Sequence, residues 1–257
     1  MNLLIFFILG AILGSFILVV VERMYTGSSW VTGSSRCDSC GTVLRAYDLV
    51  PILSWTLSLG RCRHCGARLS ARYPLTEASL GLLFALAYLH EGYSAALVPL
   101  LALMALCAAI VLYDMRHTVI PPPFSLGFVL FSVLYLALTA PGAEALGAAL
   151  LVAGVIGLAF FLLWFLSGGR LMGLGDAPFA LGLSLMAGAA AFSGLVFSFW
   201  IGAVIGIIIL VRQPKGHRLG IEVPFAPFLA LGFLLAFFTQ WSPVTIIGFL
   251  MTRFFGV

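Results

Sequence analysis

Charge is what this sequence has least of. Asp, Glu, Lys and Arg make up 9% of the 257 residues, whereas 62% are hydrophobic; an ordinary soluble domain carries roughly 25% charged residues. A water-soluble fold has no interior large enough for that apolar surface, so a soluble enzyme or binding module is excluded. The first apolar run, 3–21, lacks both a basic residue ahead of it and a small-residue cleavage site behind it. It therefore reads as a retained span rather than a secretory signal. Long polar stretches are scarce too, and only 22–75 is long enough to fold as a small domain outside a bilayer. A basic face is also missing. The net charge of +4 is spread over short loops between apolar runs, as membrane topology demands, and no nucleic-acid partner is expected.

What is present is a series of apolar stretches. A bilayer core about 30 Å thick takes a helix of roughly 20 apolar residues. Breaks at charges, Pro and Gly predict about eight spans, over 3–21, 76–90, 96–113, 124–140, 145–166, 178–191, 193–211 and 225–250. The fold class is thus an all-α polytopic membrane protein. Its parts are a first transmembrane helix (1–24), a small cytoplasmic cysteine domain (25–75) and a helical bundle (76–257). Between 178 and 211 only Gly188, Ser193 and Gly194 hint at a turn, and one long tilted helix is the competing reading; the choice fixes the side of the C-terminus. Alternate loops 22–75, 114–123, 167–177 and 212–224 hold every Lys and Arg except Arg253. The positive-inside bias makes those loops cytoplasmic and leaves the N-terminus outside, along with the short loops that carry Glu91 and Glu144.

The 25–75 domain contains Cys37-Asp38-Ser39-Cys40 and Cys62-Arg63-His64-Cys65, each followed by glycine, Gly41 and Gly66. A two-residue gap lets two thiolates of one tight turn reach a single tetrahedral ion, and the glycine permits the positive φ of that turn. Two such turns 21 residues apart fit a four-cysteine zinc ribbon, and in a reducing cytoplasm thiols favour metal over disulfide. Four thiolates fill the coordination shell and leave no place for water, so Cys37, Cys40, Cys62 and Cys65 are expected to hold a structural zinc. His64 is read as a surface residue, although it lies where it can replace a ligand, and Cys107 as a small core residue.

Two carboxylates border membrane helices, where ionisable groups are costly and often functional. Asp114 ends an apolar run at a helix C-terminus, which the macrodipole makes unfavourable for negative charge. Asp176 lies between Gly173-Leu174-Gly175 and Ala177-Pro178, and by itself is read equally well as an N-cap with proline in the first turn. Helix parity brings both to the cytoplasmic face although 62 positions separate them. Two carboxylates in one partly dry site cannot both ionise cheaply; one keeps a proton while the other activates water, the machinery of aspartic proteolysis. Gly173 and Gly175 would let backbone approach a substrate closely.

At these residues the chain resembles the type IV prepilin (leader) peptidases. The resemblance runs through Gly14-Ser15-Phe16 with Glu22-Arg23, Ser35-Arg36-Cys37, Asp48-Leu49-Val50-Pro51, Leu53-Ser54-Trp55, Gly60-Arg61-Cys62-Arg63, Arg72-Tyr73-Pro74-Leu75 with Glu77, Asp114 with Ile120-Pro121, Gly173-Leu174-Gly175-Asp176, and the segment 223–229. It implies that Asp114 and Asp176 are a catalytic pair, in the bacterial inner membrane, that removes the short basic leader of a type IV prepilin or type II secretion pseudopilin. The cut falls at the cytoplasmic face, typically after glycine. Relatives with the cysteine domain also methylate the new N-terminus with S-adenosylmethionine; this chain shows no Gly-rich cofactor loop beside a nucleotide-binding fold, so that activity enters through the resemblance only. Two positions depart from the family: Pro178 stands where lysine is usual and Pro122 where Asp or Asn is usual.

The rival readings are a transporter or channel that uses the two aspartates as ion or proton sites, and an assembly scaffold with a degenerate site. A cytoplasmic-edge position and a cysteine domain weigh against transport. Trp55 and Tyr73 read as core or interface aromatics, and Trp164, Trp200 and Trp241 as interface anchors. Arg116 and His117, like Lys215, His217 and Arg218, read as lipid-headgroup contacts.

Overall fold

Apolar runs without interior charge satisfy their backbone only by winding into helices, and helices account for every named element of this chain. The structure is a computed structural model that describes residues 1–27, 29, 33–212 and 223–255. Lys215, His217 and Arg218 lie outside the described residues. Among those described there are ten α-helices, two 3-10 turns and no strands beyond two isolated bridges. The chain divides into two compact units, Met1–Leu112 and Tyr113–Val257.

The first unit is built on α1 (Asn2–Thr26) and α3 (Arg72–Glu91), which run antiparallel in close contact. Gly10 and Gly14, one turn apart, make the approach: a β-carbon on Gly10 would lie 2.5 Å from the Leu80 carbonyl, and one on Gly14 would lie 3.1 Å from Glu77 Cα. Across the seam a β-carbon on Gly81 would meet the Phe7 carbonyl at 2.9 Å. Small residues one turn apart are how membrane helices gain dispersion contact where no hydrophobic driving force separates them from lipid. The register is held at the other end by Asn2 Nδ2 donating to the Tyr88 hydroxyl at 3.1 Å and by Phe6 stacked on Tyr88 at 4.6 Å. The segment between these helices carries a 3-10 turn (Ala46–Asp48) and the short α2 (Leu53–Leu57). Next comes α4 (Leu97–His117), which continues into the second unit.

The second unit contains α5 (Pro122–Thr139), α6 (Ala143–Ser167), α7 (Asp176–Ala187), α8 (Ala191–Arg212), α9 (Ala226–Thr239) and α10 (Pro243–Phe255). Apolar all round, α7 is correspondingly buried, packing on α5, α6, α8 and α9. Gly182 of α7 sits against the Phe128 ring, and Gly157 of α6 against Leu181. Ser198 of α8 donates to the Leu229 carbonyl of α9 at 3.2 Å as well as to Gly194 within its own helix at 2.7 Å.

Two sequence expectations change in detail. The run 178–211 does break, but only at Gly188, whose φ of 54° leaves the helical region; Ser193 and Gly194 lie inside α8. The run 225–250 is not one span. It stops where Gln240 turns left-handed, φ 56°, and restarts at Pro243 as α10. Among the described residues five helices are long and apolar enough to cross a membrane, with α7 and α8 taken as one stretch; α3, which covers the expected span 76–90, is long enough but less apolar, and α9, at 14 residues, is shorter. The protein is an all-α multi-pass membrane protein with a four-cysteine module between its first two long helices.

Candidate active site

Asp114 lies in the last turn of α4 and is 5% exposed. A carboxylate at a helix C-terminus faces orphan carbonyls, so something must compensate. The compensation is the start of α9, where the Ala226 N–H donates to Asp114 Oδ2 at 3.0 Å. The positive end of one helix thus cradles an acid displaced to the negative end of another. Sequence reasoning registered 223–229 only as a matching segment; the signal it missed is Pro227, near the start of α9, which marks a helix N-terminus with free donors.

Asp176, 8% exposed, is the first residue of α7. The N-cap position belongs to Gly175, and no side chain caps the helix. The Asp176 carboxylate turns back on its own loop instead, and Oδ2 accepts the Gly173 N–H at 3.1 Å. The expected first-turn proline is present as Pro178. Gly173 and Leu174 are exposed, so this loop forms a surface rim over a buried acid.

Gly175 joins the two acid motifs. A β-carbon there would lie 2.6 Å from Ile120 Cβ and 3.2 Å from the Ile120 carbonyl, so the loop after Asp114 and the loop before Asp176 touch at a point only glycine fills. That contact joins the helix ends that carry the two acids. Among the described residues neither has an ion-pair partner.

The four cysteines form a second constellation in the other unit. Segments 35–44 and 60–69 are two copies of one ten-residue fold. Cys37 N–H donates to the Thr42 carbonyl (3.0 Å), Gly41 to Cys37 (2.8 Å) and Leu44 to Ser35 (2.8 Å); Cys62 donates to Ala67 (2.8 Å), Gly66 to Cys62 (2.9 Å) and Leu69 to Gly60 (2.8 Å). Gly41 and Gly66 take φ of 70° and 73°, the left-handed turn expected of them. All four Sγ atoms lie within 4.8 Å of one another, with Cys37 and Cys65 at 4.0 Å. A tetrahedral ion with metal–sulfur bonds of about 2.3 Å needs sulfur separations of roughly 3.8 Å, so this donor set fits one structural zinc with small contraction. Two thiols are already biased toward thiolate: hydrogen bonding with the Thr42 side chain and backbone holds Cys40 down at about 6, and backbone N–H groups of Cys65 and His64 lower Cys62. Cys65, despite its bond from Ala67, stands at about 11 through desolvation and the neighbouring sulfurs. A cation at the centre would remove that conflict. Cys107 is buried, as its sequence context indicates.

Fold and site define a multi-pass membrane protein with a buried pair of acids in one unit and a four-thiol module in the other. Residues 8–91 match the family described as the bacterial peptidase A24 N-terminal domain. The chain is 35% identical to a Myxococcus xanthus protein named prepilin leader peptidase/N-methyltransferase, over 81% of this chain and 63% of that relative. A Bacillus subtilis protein of the same name is 32% identical over 91% of this chain and 92% of its own. An Escherichia coli protein named type 4 prepilin-like proteins leader peptide-processing enzyme is 29% identical, over 90% and 91% respectively. No solved structure matches. The chain belongs to the prepilin leader peptidase/N-methyltransferase family of enzymes.

Proposed function

We propose that this protein is an aspartic endopeptidase of the bacterial inner membrane that removes the leader of a type IV prepilin or type II secretion pseudopilin. The carrying observation is that Asp114 and Asp176, 62 positions apart, are both buried at helix ends whose adjoining loops meet at Gly175 and Ile120. In the hydrolytic step one carboxylate takes a proton from water as its oxygen attacks the peptide carbonyl. The other, protonated, gives its proton to the carbonyl oxygen; the tetrahedral species then collapses as the leaving nitrogen is protonated. Ala226 N–H and Gly173 N–H fix the orientation of the two acids throughout. Gly173 and Gly175 keep the rim low enough for an extended peptide to reach them.

The arginine-bearing loops put the cysteine module and the acid pair on the cytoplasmic side, where a single-span substrate meets them by lateral movement in the bilayer. Zinc held by Cys37, Cys40, Cys62 and Cys65 would stabilise a module too small to bury much apolar area and would supply no reactive water. Methylation of the new N-terminus by S-adenosylmethionine rests on the relatives' names, and no residue is assigned to it. The test is a purified prepilin incubated with the protein in nanodiscs, with and without S-adenosylmethionine, read by product mass. Leader removal supports the reading, an added methyl group extends it, and an uncut prepilin refutes it.

A further inference from the structure

The segment 49–59 of the first unit is apolar where a cytoplasmic linker ought to be polar. Leu53, Leu57 and Leu59 are 59%, 76% and 83% exposed, and Leu49 and Val50 are exposed beside them. Exposed arginines, Arg45 and Arg61, bracket the run on both sides.

The depth of this segment follows from a hydrogen bond that ties it to α3. Glu77, itself buried at 5% exposure in α3, accepts the Ile52 N–H at 2.7 Å. Glu77 is level with Gly14 of α1, whose added β-carbon would touch Glu77 Cα. Gly14 precedes Glu22, the first charged residue of that span, by about 12 Å of helix rise. Glu77 and the Ile52 N–H it holds therefore lie below the level of Glu22, where the apolar run of α1 ends.

Backbone at that depth is costly unless its donors are paired, and most of this segment's donors are paired within it. Beyond Ile52, the N–H groups of Ser54, Thr56, Ser58, Leu59, Gly60 and Arg61 donate to carbonyls of 50–58. The hydroxyls of Thr56 and Ser58 fold back onto carbonyls of Ile52 and Leu53, and of Trp55. Ile52 accepts a φ of 61°, costly for a β-branched residue, to make the turn. An apolar outer surface, internal pairing of polar groups and a basic rim together match one environment, acyl chains beneath anionic headgroups.

We propose that 49–59 is a re-entrant interfacial element whose leucines are immersed in the leaflet bordering the cysteine module, with Glu77 as its anchor. The second knuckle rests directly on it, since Trp55 Nε1 donates to the Leu69 carbonyl at 3.4 Å and a β-carbon on Gly60 would lie 2.8 Å from the Trp55 ring. The metal module is thereby seated on the bilayer rather than hung from flexible links.

The test uses the full chain in nanodiscs of phosphatidylcholine and phosphatidylglycerol, with a photoreactive benzoylphenylalanine at position 57 or, as comparison, at position 38. Lipid adducts several-fold more abundant at 57 than at 38 are expected. Crosslinking of position 57 chiefly to another part of the protein, or lipid adducts no more abundant than at 38, would overturn the proposal. With the probe at 57, Glu77→Gln keeps an acceptor for Ile52 and should retain the adducts, whereas Glu77→Leu should reduce them several-fold. Equal yields from these two variants would overturn the anchor role of Glu77. Should Glu77→Leu fail to insert, the comparison of positions 57 and 38 in the otherwise unaltered chain still decides the matter.

Discussion

Replacing Asp114 by Asn and by Ala separates its chemistry from its structural bond. In Asp114→Asn the side-chain oxygen can still accept the Ala226 N–H, now held at 3.0 Å. What is lost is the charge facing the start of α9, about 0.3–1 kcal/mol. In Asp114→Ala that buried N–H has no acceptor, at a cost of about 1–3 kcal/mol. Catalysis should not distinguish them: neither side chain can shuttle a proton, and loss of positioned acid–base catalysis alone lowers a rate by roughly 10²–10⁴-fold. Single-turnover leader cleavage and thermal unfolding, measured on the same nanodisc samples, should show both variants inactive with only Ala markedly destabilised. An Asn variant retaining more than about a tenth of the wild-type rate would remove Asp114 from the chemistry, whatever its stability.

Gly175→Ala should slow cleavage and cost about 1–3 kcal/mol in stability, because its β-carbon would press into Ile120 at 2.6 Å and part the two acid loops; an unchanged rate and melting temperature would show that the contact yields. The Gly173→Ala variant, whose new atom meets Asp176 Oδ2 at an ordinary 3.4 Å, should be milder in the same assays. Cys37→Ser should lower the zinc content seen by elemental analysis and open the 25–75 segment to trypsin while some cleavage activity survives; cleavage that depends strictly on zinc would place the metal in the reaction. Single cysteines introduced into 22–75 and 167–177 of a cysteine-free variant should both resist an impermeant thiol reagent outside intact cells, and labelling of only one loop would separate module and acid pair across the membrane.

Most of the helical outline was legible because a bilayer imposes length and apolarity on each span, and both can be read residue by residue. The limits of that reading appear where a helix ends at a break too short to stand out from the apolar residues around it. Gln240 stops α9 by its left-handed backbone within Thr239-Gln240-Trp241-Ser242-Pro243, a polar break too short to outweigh the apolar residues on either side when 225–250 is read as one run. Similarly, Gly188, Ser193 and Gly194 look alike as breakers, yet Gly188 alone turns, since Gly194 is occupied in admitting the Phe233 ring against α8. Glycine in a membrane helix serves close packing as readily as termination, and the sequence does not say which.

The cysteine module was legible for the opposite reason: its geometry is local. Each two-residue gap and following glycine specifies its own turn, and the structure repeats the turn with the same hydrogen bonds. The acid pair stands between these cases. Helix parity could put Asp114 and Asp176 on one face, but the groups that hold them come from elsewhere, from Ala226, 112 positions beyond Asp114, and from a glycine whose task is set by Ile120. Glu77 shows the same limit. As one carboxylate in a largely apolar helix it was visible only as part of a matching motif; its hold on the Ile52 N–H depends on the α1–α3 register that Gly10, Gly14 and Gly81 set. Residue type fixes which groups need a partner when buried, whereas the identity of the partner is a property of packing.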